Sequence, residues 1–249
     1  MAEKLKSISR QIHWSSLLRA AVFSAAWLFL PFWAFVIVAL YLYFVPWFGP
    51  GRLFVPFAAL LILAYIEPAA PDAAGFWSAI VFGAVFYCIL LVKDLLVLDR
   101  RAFYEAIIFA LALFLLRDFY RGFDTGVGGP DGGWGLFMAF FAAGAIALLI
   151  KSFFASLGEE GAGASPHRRM IHWLFFLILV QLCVAGLFLP LDFTYQSIAV
   201  FLIAAPLIDL TAEYLVSGGG GPSRNKVAGT AGVVAILFVF ILSSAHWGL

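Results

Sequence analysis

The stretch AGVVAILFVFIL at residues 231–242 contains no charged residue, and AIIFALALFLL at 106–116 is a second run of the same kind. Neither stretch alternates apolar with polar residues, as the strands of a membrane β-barrel do. In hydrocarbon, the backbone polar groups of a segment need partners inside the protein, and an α-helix supplies them locally. These stretches therefore predict an all-α protein that lies in a membrane.

The composition of the whole chain agrees with this prediction. Of its 249 residues, 64% are hydrophobic and only 12% are charged, whereas a soluble domain is about 25% charged. The mean hydropathy is +1.04. So few charges cannot cover a water-exposed surface, which predicts a multi-pass protein of the cell membrane with the lipid bilayer as its surroundings. The net charge of +1 gives no reason to expect a nucleic-acid partner.

Nine apolar segments are expected to form a polytopic helical bundle, which we treat as one transmembrane domain over residues 1–249. A crossing helix needs roughly 20 residues, with about 17 as the lower end. The predicted helices lie at 13–31, 32–48, 52–67, 76–97, 102–121, 134–155, 171–190, 193–216 and 228–248. We expect about nine crossings, within a range of seven to nine. Whether the segment 13–67 crosses two or three times is open at this point.

Lysine and arginine in the loops predict the orientation. The loops 93–101, 151–169 and 217–227 contain them, whereas the loops 122–134 and 190–192 do not. Since cytoplasmic loops carry the excess of positive charge, the first group is expected in the cytoplasm and the C-terminus outside. The N-terminus is also basic and is expected in the cytoplasm, so the segment 13–67 must cross an odd number of times.

A repeated motif suggests how the segment 13–67 crosses the membrane an odd number of times. RQIHW (10–14) and RMIHW (169–173) begin two segments that align without gaps and end alike, in LFLP at 28–31 and 187–190. Duplication of a helix, or independent use of the same interface residues, would each explain the likeness. In both cases the proline disfavours the helical conformation in the residue before it. The chain is therefore expected to turn at Pro31, which gives three helices before residue 67.

A few ionisable residues inside the predicted helices form the candidate polar site. Such residues are costly in lipid and are candidates for function. The candidates are Asp209, Glu213, Arg19, Lys93 and Glu105, all near the predicted cytoplasmic ends of their helices. Asp209 and Glu213 are four residues apart and share a helix face. They either bind a cation or proton, or form structural ion pairs, with Arg19 or Lys93 as the expected cation.

The function stays open at this level. The sequence contains no HExxH, Walker A, GxGxxG or CxxC motif, so no catalytic residue, metal or cofactor is predicted and an enzyme is not favoured. We expect a structural or assembly subunit of a membrane complex, with another membrane protein or further copies of the chain as its partner. The alternatives are a small carrier or channel that uses the Asp209 and Glu213 site, and an intramembrane enzyme or lipid-handling protein.

Overall fold

The computed structural model describes residues 13–45, 51, 53–67, 73–94, 100–124, 134–157, 166–216 and 223–244. Over these residues the regular structure is entirely helical and comprises nine helices, as predicted. They are α1 (Trp14–Phe29), α2 (Phe32–Phe44), α3 (Phe54–Ile66), α4 (Ala73–Lys93), α5 (Arg100–Asp124), α6 (Trp134–Leu157), α7 (Pro166–Leu187), α8 (Phe193–Val216) and α9 (Arg224–Ser244).

The helix ends differ from the prediction where local chemistry extends a helix beyond its apolar run. Helix α9 begins at Arg224 rather than at 228, because the Ser223 hydroxyl accepts a hydrogen bond from the Lys226 N–H at 3.3 Å and caps the helix. Helix α7 begins at Pro166 rather than at 171, and proline is favoured as the first residue of a helix. The predicted ends at 48, 97 and 248 lie outside the described residues.

Four helices contain a segment that is long and apolar enough to cross a membrane. These segments are Gly75–Lys93 in α4, Met170–Leu187 in α7, Phe193–Tyr214 in α8 and Arg224–Ile241 in α9. Helices α1, α2 and α3, and the apolar part of α6 at Ala139–Phe154, are shorter. At about 1.5 Å of rise per residue, 13 residues give roughly 20 Å, which is less than the ~30 Å hydrocarbon core. The four long segments indicate a helical bundle that inserts into a membrane.

The chain divides into two compact units, Met1–Ile108 and Phe109–Leu249, with the boundary inside α5. In the first unit, α1 packs against α4 and α2, and α4 also packs against α3. In the second unit, α7 packs against α6 and α8, and α8 also packs against α9.

The chain reverses direction at Pro31, which confirms the predicted turn. Leu30 and Pro31 are extended, and the carbonyl of Pro31 then accepts the first hydrogen bonds of α2. After the turn, the Phe35 ring lies 5.1 Å from the Phe23 ring of α1, centroid to centroid. Further along α2, the Tyr43 carbonyl meets Lys93 at the end of α4. A helix that continued the direction of α1 could not return to these neighbours, so α1 and α2 form an antiparallel pair.

Stacked aromatic rings form the core of the first unit. Phe23 of α1 stacks on Phe86 of α4 at 4.3 Å between ring centroids, and Tyr43 of α2 stacks on Phe57 of α3 at 4.1 Å. All four side chains are fully buried. Such pairs add about 0.5–1.5 kcal/mol each beyond the apolar area that they bury, so they link helices that are individually short.

Glycine allows close packing in both units. At Gly83 of α4, an added Cβ would lie 2.1 Å from the Ser24 hydroxyl oxygen of α1. At Gly186 of α7, it would lie 2.1 Å from the Tyr120 hydroxyl oxygen and 2.8 Å from a methyl group of Val200 on α8. The Tyr120 hydroxyl donates a hydrogen bond of 2.9 Å to the Cys183 carbonyl. Gly186 therefore lies where three helices of the second unit converge.

Candidate functional site

Two of the predicted site residues, Asp209 and Glu213, lie together on one face of α8 as their spacing predicted. The ammonium group of Lys226, in the first turn of α9, lies between them. Its Nζ atom is 3.2 Å from Asp209 Oδ2 and 2.5 Å from Glu213 Oε2. The three side chains are 33%, 32% and 40% exposed, respectively. We call Asp209, Glu213 and Lys226 the α8–α9 charge cluster.

Lys226 lies in the stretch 217–227, which the sequence predicts as a loop, so the sequence does not predict Lys226 as a partner of Asp209 and Glu213. The apolar run begins only at Val227, which hid the first turn of α9. The signal that could have revealed it is the serine at 223, since serine favours the position just before a helix. One lysine that meets both carboxylates relieves the repulsion between two negative charges one helical turn apart.

Arg19 and Lys93, the cations that the sequence analysis expected beside Asp209 and Glu213, meet a different carboxylate in the first unit. Lys93 Nζ lies 3.4 Å from Asp94 Oδ1, and Arg19 Nη1 lies 3.7 Å from Asp94 Oδ2. Asp94 directly follows α4, and its N–H bonds to the Leu90 carbonyl. Asp94 is not among the candidate site residues predicted from the sequence. We call Arg19, Lys93 and Asp94 the α1–α4 charge cluster.

Lys93 is the most buried charge of this cluster. Its side chain has no exposed surface, and Asp94 is 13% exposed. Lys93 also donates a hydrogen bond to the Tyr43 carbonyl, and its Nζ lies 5.1 Å from the centre of the Tyr43 ring. That carbonyl belongs to the last turn of α2, where no further helical N–H is available. Lys93 therefore joins the ends of α2 and α4, which is a structural task.

The remaining predicted site residue, Glu105, lies half-buried in the second turn of α5. Glu105 belongs to the first unit and Asp209 and Glu213 to the second. The sequence predicted only that Glu105, Asp209 and Glu213 all lie near the cytoplasmic ends of their helices. That they form a single polar site stays a prediction.

A surface groove of about 330 Å³ lies between α7 and α8, near the α8–α9 charge cluster. Its lining residues are Met170, Ile171, Leu207, Leu210, Thr211 and Tyr214. Thr211 donates its hydroxyl to the Leu207 carbonyl at 2.6 Å, as serine and threonine inside helices commonly do. The groove is therefore lined mainly by apolar side chains and is suited to apolar contact rather than to ion coordination.

The α8–α9 charge cluster can hold two helices together, and it can exchange with water or with ions because a third of each carboxylate is exposed. Among the residues that the structure describes, no three His, Cys, Asp or Glu side chains come together as metal ligands do. Comparison of the chain with protein-family models, with curated proteins and with solved structures gives no match.

Proposed function

We propose that this chain is a structural or assembly subunit of a membrane complex and that α9 is the helix that packs against a neighbouring subunit. The observation that carries the proposal is the low burial of α9. Only 6% of its membrane-length segment is buried within the protein, compared with 61% for α4. Its described packing is against α8, so most of its surface is available to another helix or to lipid.

The residues of α9 divide into two faces. The more buried positions are Thr230, Val234, Phe238 and Ile241. Because they are three or four residues apart, they form one stripe along the helix, which faces α8. A second group of residues is exposed, namely Ala228, Gly232, Ala235 and Val239. At 100° per residue, this second group lies on the opposite side of the helix.

The opposite face carries small residues at the spacing that lets membrane helices approach closely. Among the residues that the structure describes, no atom lies within 4 Å of an added Cβ at Gly229 or Gly232. Glycine costs a helix about 1 kcal/mol relative to alanine, and no close contact with a described residue offsets that cost at these two positions. Close packing of a neighbouring helix on this face would offset the cost of glycine, whereas contact with lipid would not. The exposed glycines therefore favour a protein neighbour on the face of Ala228, Gly232 and Ala235.

Photo-crosslinking in native membranes tests this proposal. With a photoreactive amino acid at Gly232, we expect a discrete adduct heavier than the 27.2 kDa chain. The same amino acid at Phe238 is the control, because Phe238 faces α8 and is expected to react within the chain. An adduct at about twice the mass would identify a second copy, and another discrete mass a different subunit. Equal adducts from both positions, or none from Gly232, would contradict the proposal.

We further propose that the nine helices each cross the membrane, with the N-terminus in the cytoplasm and the C-terminus outside. The alternation of direction from α1 to α4 supports this arrangement, since it places Arg19 and Lys93 at one end of the first unit. The charges of the loops support the same orientation. A bilayer that thins locally can accommodate the 13-residue helices α2 and α3.

Cysteine labelling tests the orientation and the number of crossings before residue 67. In a background without Cys88 and Cys183, a membrane-impermeant thiol reagent added to intact cells is expected to label a cysteine at Ala70 but not one at Gly51. Permeabilised cells, in which both cysteines should react, provide the control for accessibility. Labelling at Gly51 without labelling at Ala70 would overturn the proposed topology.

The α8–α9 charge cluster favours a structural role for Asp209 and Glu213 over the alternative of a carrier or channel site. A cation that binds there would have to displace Lys226 or share the carboxylates with it. The exposure of all three side chains means that the ion pairs are screened by water, so their net contribution is small. We therefore propose that the role of the cluster is to align α9 on α8.

A further inference from the structure

The α1–α4 charge cluster lies where the membrane-length part of the first unit ends. The apolar segment of α4 runs from Gly75 to Lys93, and Asp94 follows it directly. The Arg19 guanidinium is paired with Asp94, so it lies at the level of this helix end, although Arg19 itself is in the second turn of α1. At the end of a crossing segment, the hydrocarbon core gives way to lipid headgroups. Arg19 is therefore within reach of the phosphate groups of the surrounding lipid.

The three residues of the α1–α4 charge cluster have a surplus of positive charge, and the surplus is accessible at Arg19. Arg19 and Lys93 carry two positive charges, whereas Asp94 carries one negative charge. Lys93 has no exposed side-chain surface, but 25% of the Arg19 side chain is exposed. An anion that approaches the cluster from outside the protein therefore meets the Arg19 guanidinium first.

The ion pair with Asp94 leaves Arg19 with hydrogen-bond donors for a second acceptor. A guanidinium group has five N–H donors in a planar fork. Its contact with Asp94 is a distance of 3.7 Å between Nη1 and Oδ2, which is longer than a hydrogen bond. The fork matches the oxygen atoms of a phosphate group, which it can bind through two parallel hydrogen bonds. Arg19 can therefore bind a phosphate group while its ion pair with Asp94 stays in place.

The exposed face of α1 beside Arg19 suits a phospholipid in particular. Ser15 is exposed and lies four residues before Arg19, on the same face of the helix and nearer to its start. The Ser15 hydroxyl can donate a further hydrogen bond to a phosphate oxygen. Leu18 and Val22 are also exposed, and Val22 lies about one turn deeper than Arg19. This face therefore presents polar donors at the depth of the headgroups and apolar side chains beside the acyl chains.

We propose that Arg19, together with the Ser15 hydroxyl, binds the phosphate group of an anionic phospholipid, whose acyl chains lie against Leu18 and Val22. The positive surplus of the cluster favours an anionic headgroup over a zwitterionic one. The exposed apolar side chains favour a lipid over a soluble phosphate. The inference requires that the bundle inserts into a membrane, but it is independent of the proposed role of α9 and of the side of the membrane that the cluster faces.

Native mass spectrometry of the delipidated full-length protein, purified in a maltoside detergent, tests the proposal. When phosphatidylglycerol is added, we expect one lipid adduct whose occupancy saturates before further adducts form. Phosphatidylcholine has the same phosphate group and acyl chains but also a compensating positive charge, and it is expected to bind roughly fivefold more weakly. Equal binding of the two lipids, or adducts that increase without saturation, would overturn the proposal.

A substitution of Arg19 and a matched control assign the adduct to the cluster. Arg19→Gln removes the guanidinium group and is expected to weaken phosphatidylglycerol binding by on the order of tenfold. Arg224→Gln removes an exposed arginine in the first turn of α9 and should leave the adduct unchanged. Equal weakening by the two substitutions would show a general attraction between basic side chains and anionic lipid, and would contradict a site at Arg19.

Ser15→Ala keeps the test decisive even where Arg19→Gln does not fold. Ser15 is exposed and alanine is the better helix former, so this variant is expected to fold. It should weaken phosphatidylglycerol binding by about two- to fivefold. Ser243→Ala is its control, because it removes an exposed hydroxyl in the last turn of α9. Binding that is unchanged in Ser15→Ala, or weakened equally in Ser243→Ala, would exclude this face of α1 as the site.

Competition with inorganic phosphate separates a lipid ligand from a soluble one. Inorganic phosphate offers the same kind of oxygen atom to Arg19 and Ser15 but has no acyl chain to contact Leu18 and Val22. At the concentration at which phosphatidylglycerol saturates the site, inorganic phosphate is therefore not expected to displace the lipid. Displacement at that concentration would identify a soluble phosphate as the ligand and would overturn the assignment to a phospholipid.

Discussion

The variant Asp94→Asn is expected to lower the free energy of unfolding by about 3 kcal/mol. The change keeps the size of the side chain and removes the negative charge that lies between Lys93 and Arg19. Lys93 has no exposed side-chain surface, so water cannot replace the lost interaction. When one partner of a buried ion pair is removed, the cost exceeds the contribution of the pair, since the other charge stays in a poorly solvated place.

Unfolding of the purified protein in mixed micelles, followed by circular dichroism, measures this effect. Asp209→Asn is the matched control, because Lys226 is 40% exposed and retains Glu213 as a partner. Exposed ion pairs contribute about 0–1 kcal/mol, so the control is expected to stay within that range. Equal losses in the two variants would show that burial does not distinguish the two charge clusters.

The variant Gly186→Ala is expected to lower the free energy of unfolding by roughly 2–3 kcal/mol, as overpacking of a well-packed core does. The added methyl group would lie 2.1 Å from the Tyr120 hydroxyl oxygen and 2.8 Å from both Tyr120 Cζ and a Val200 methyl group. Tyr120 is fully buried, and its hydroxyl is bonded to the Cys183 carbonyl. To admit the methyl group, the ring must move and lose that hydrogen bond, or α7 and α8 must separate.

Gly144→Ala is the control for this substitution, since Gly144 is also a helical glycine of the second unit. An added Cβ there meets its nearest atom, in the Phe176 ring, at 3.9 Å, which is an ordinary contact. It is therefore expected to stabilise the protein by up to about 1 kcal/mol through helix propensity. The two alanine variants should thus shift the unfolding midpoint in opposite directions. A midpoint that rises in both would refute the close packing at Gly186.

The cost at Gly186 should also depend on Tyr120. In a Tyr120→Phe background the nearest clashing atom is absent, so Gly186→Ala is expected to cost less than in the natural sequence. Two contacts at 2.8 Å remain, with the ring Cζ atom of residue 120 and with a Val200 methyl group, and they keep part of the cost. A double-mutant cycle measures this coupling, because the two residues are in direct contact.

Much of the helical architecture could be predicted from the sequence because its signals are local. Each helix of the described residues coincides with an apolar run, and the reversal at Pro31 follows from the restricted backbone of the residue before a proline. The errors at the starts of α7 and α9 arose where a proline or a capping serine lies outside the apolar run. A hydropathy pattern does not mark such residues, although a proline in the first turn and a capping serine both favour the start of a helix.

The sequence by itself determined that the chain is helical, where it turns, and that Asp209 and Glu213 share a face, since these features depend on backbone chemistry and on helical periodicity. Only the tertiary structure decided which charges meet. Lys226 joins the two carboxylates, and Asp94 joins Arg19 to Lys93. The sequence shows how far a charged residue lies from the end of its helix. It does not show the partner of that residue, because the partner depends on how each helix is rotated and on which helix packs beside it. The packing of side chains distant in the sequence sets both, as with Phe23 on Phe86 and Tyr120 on Gly186.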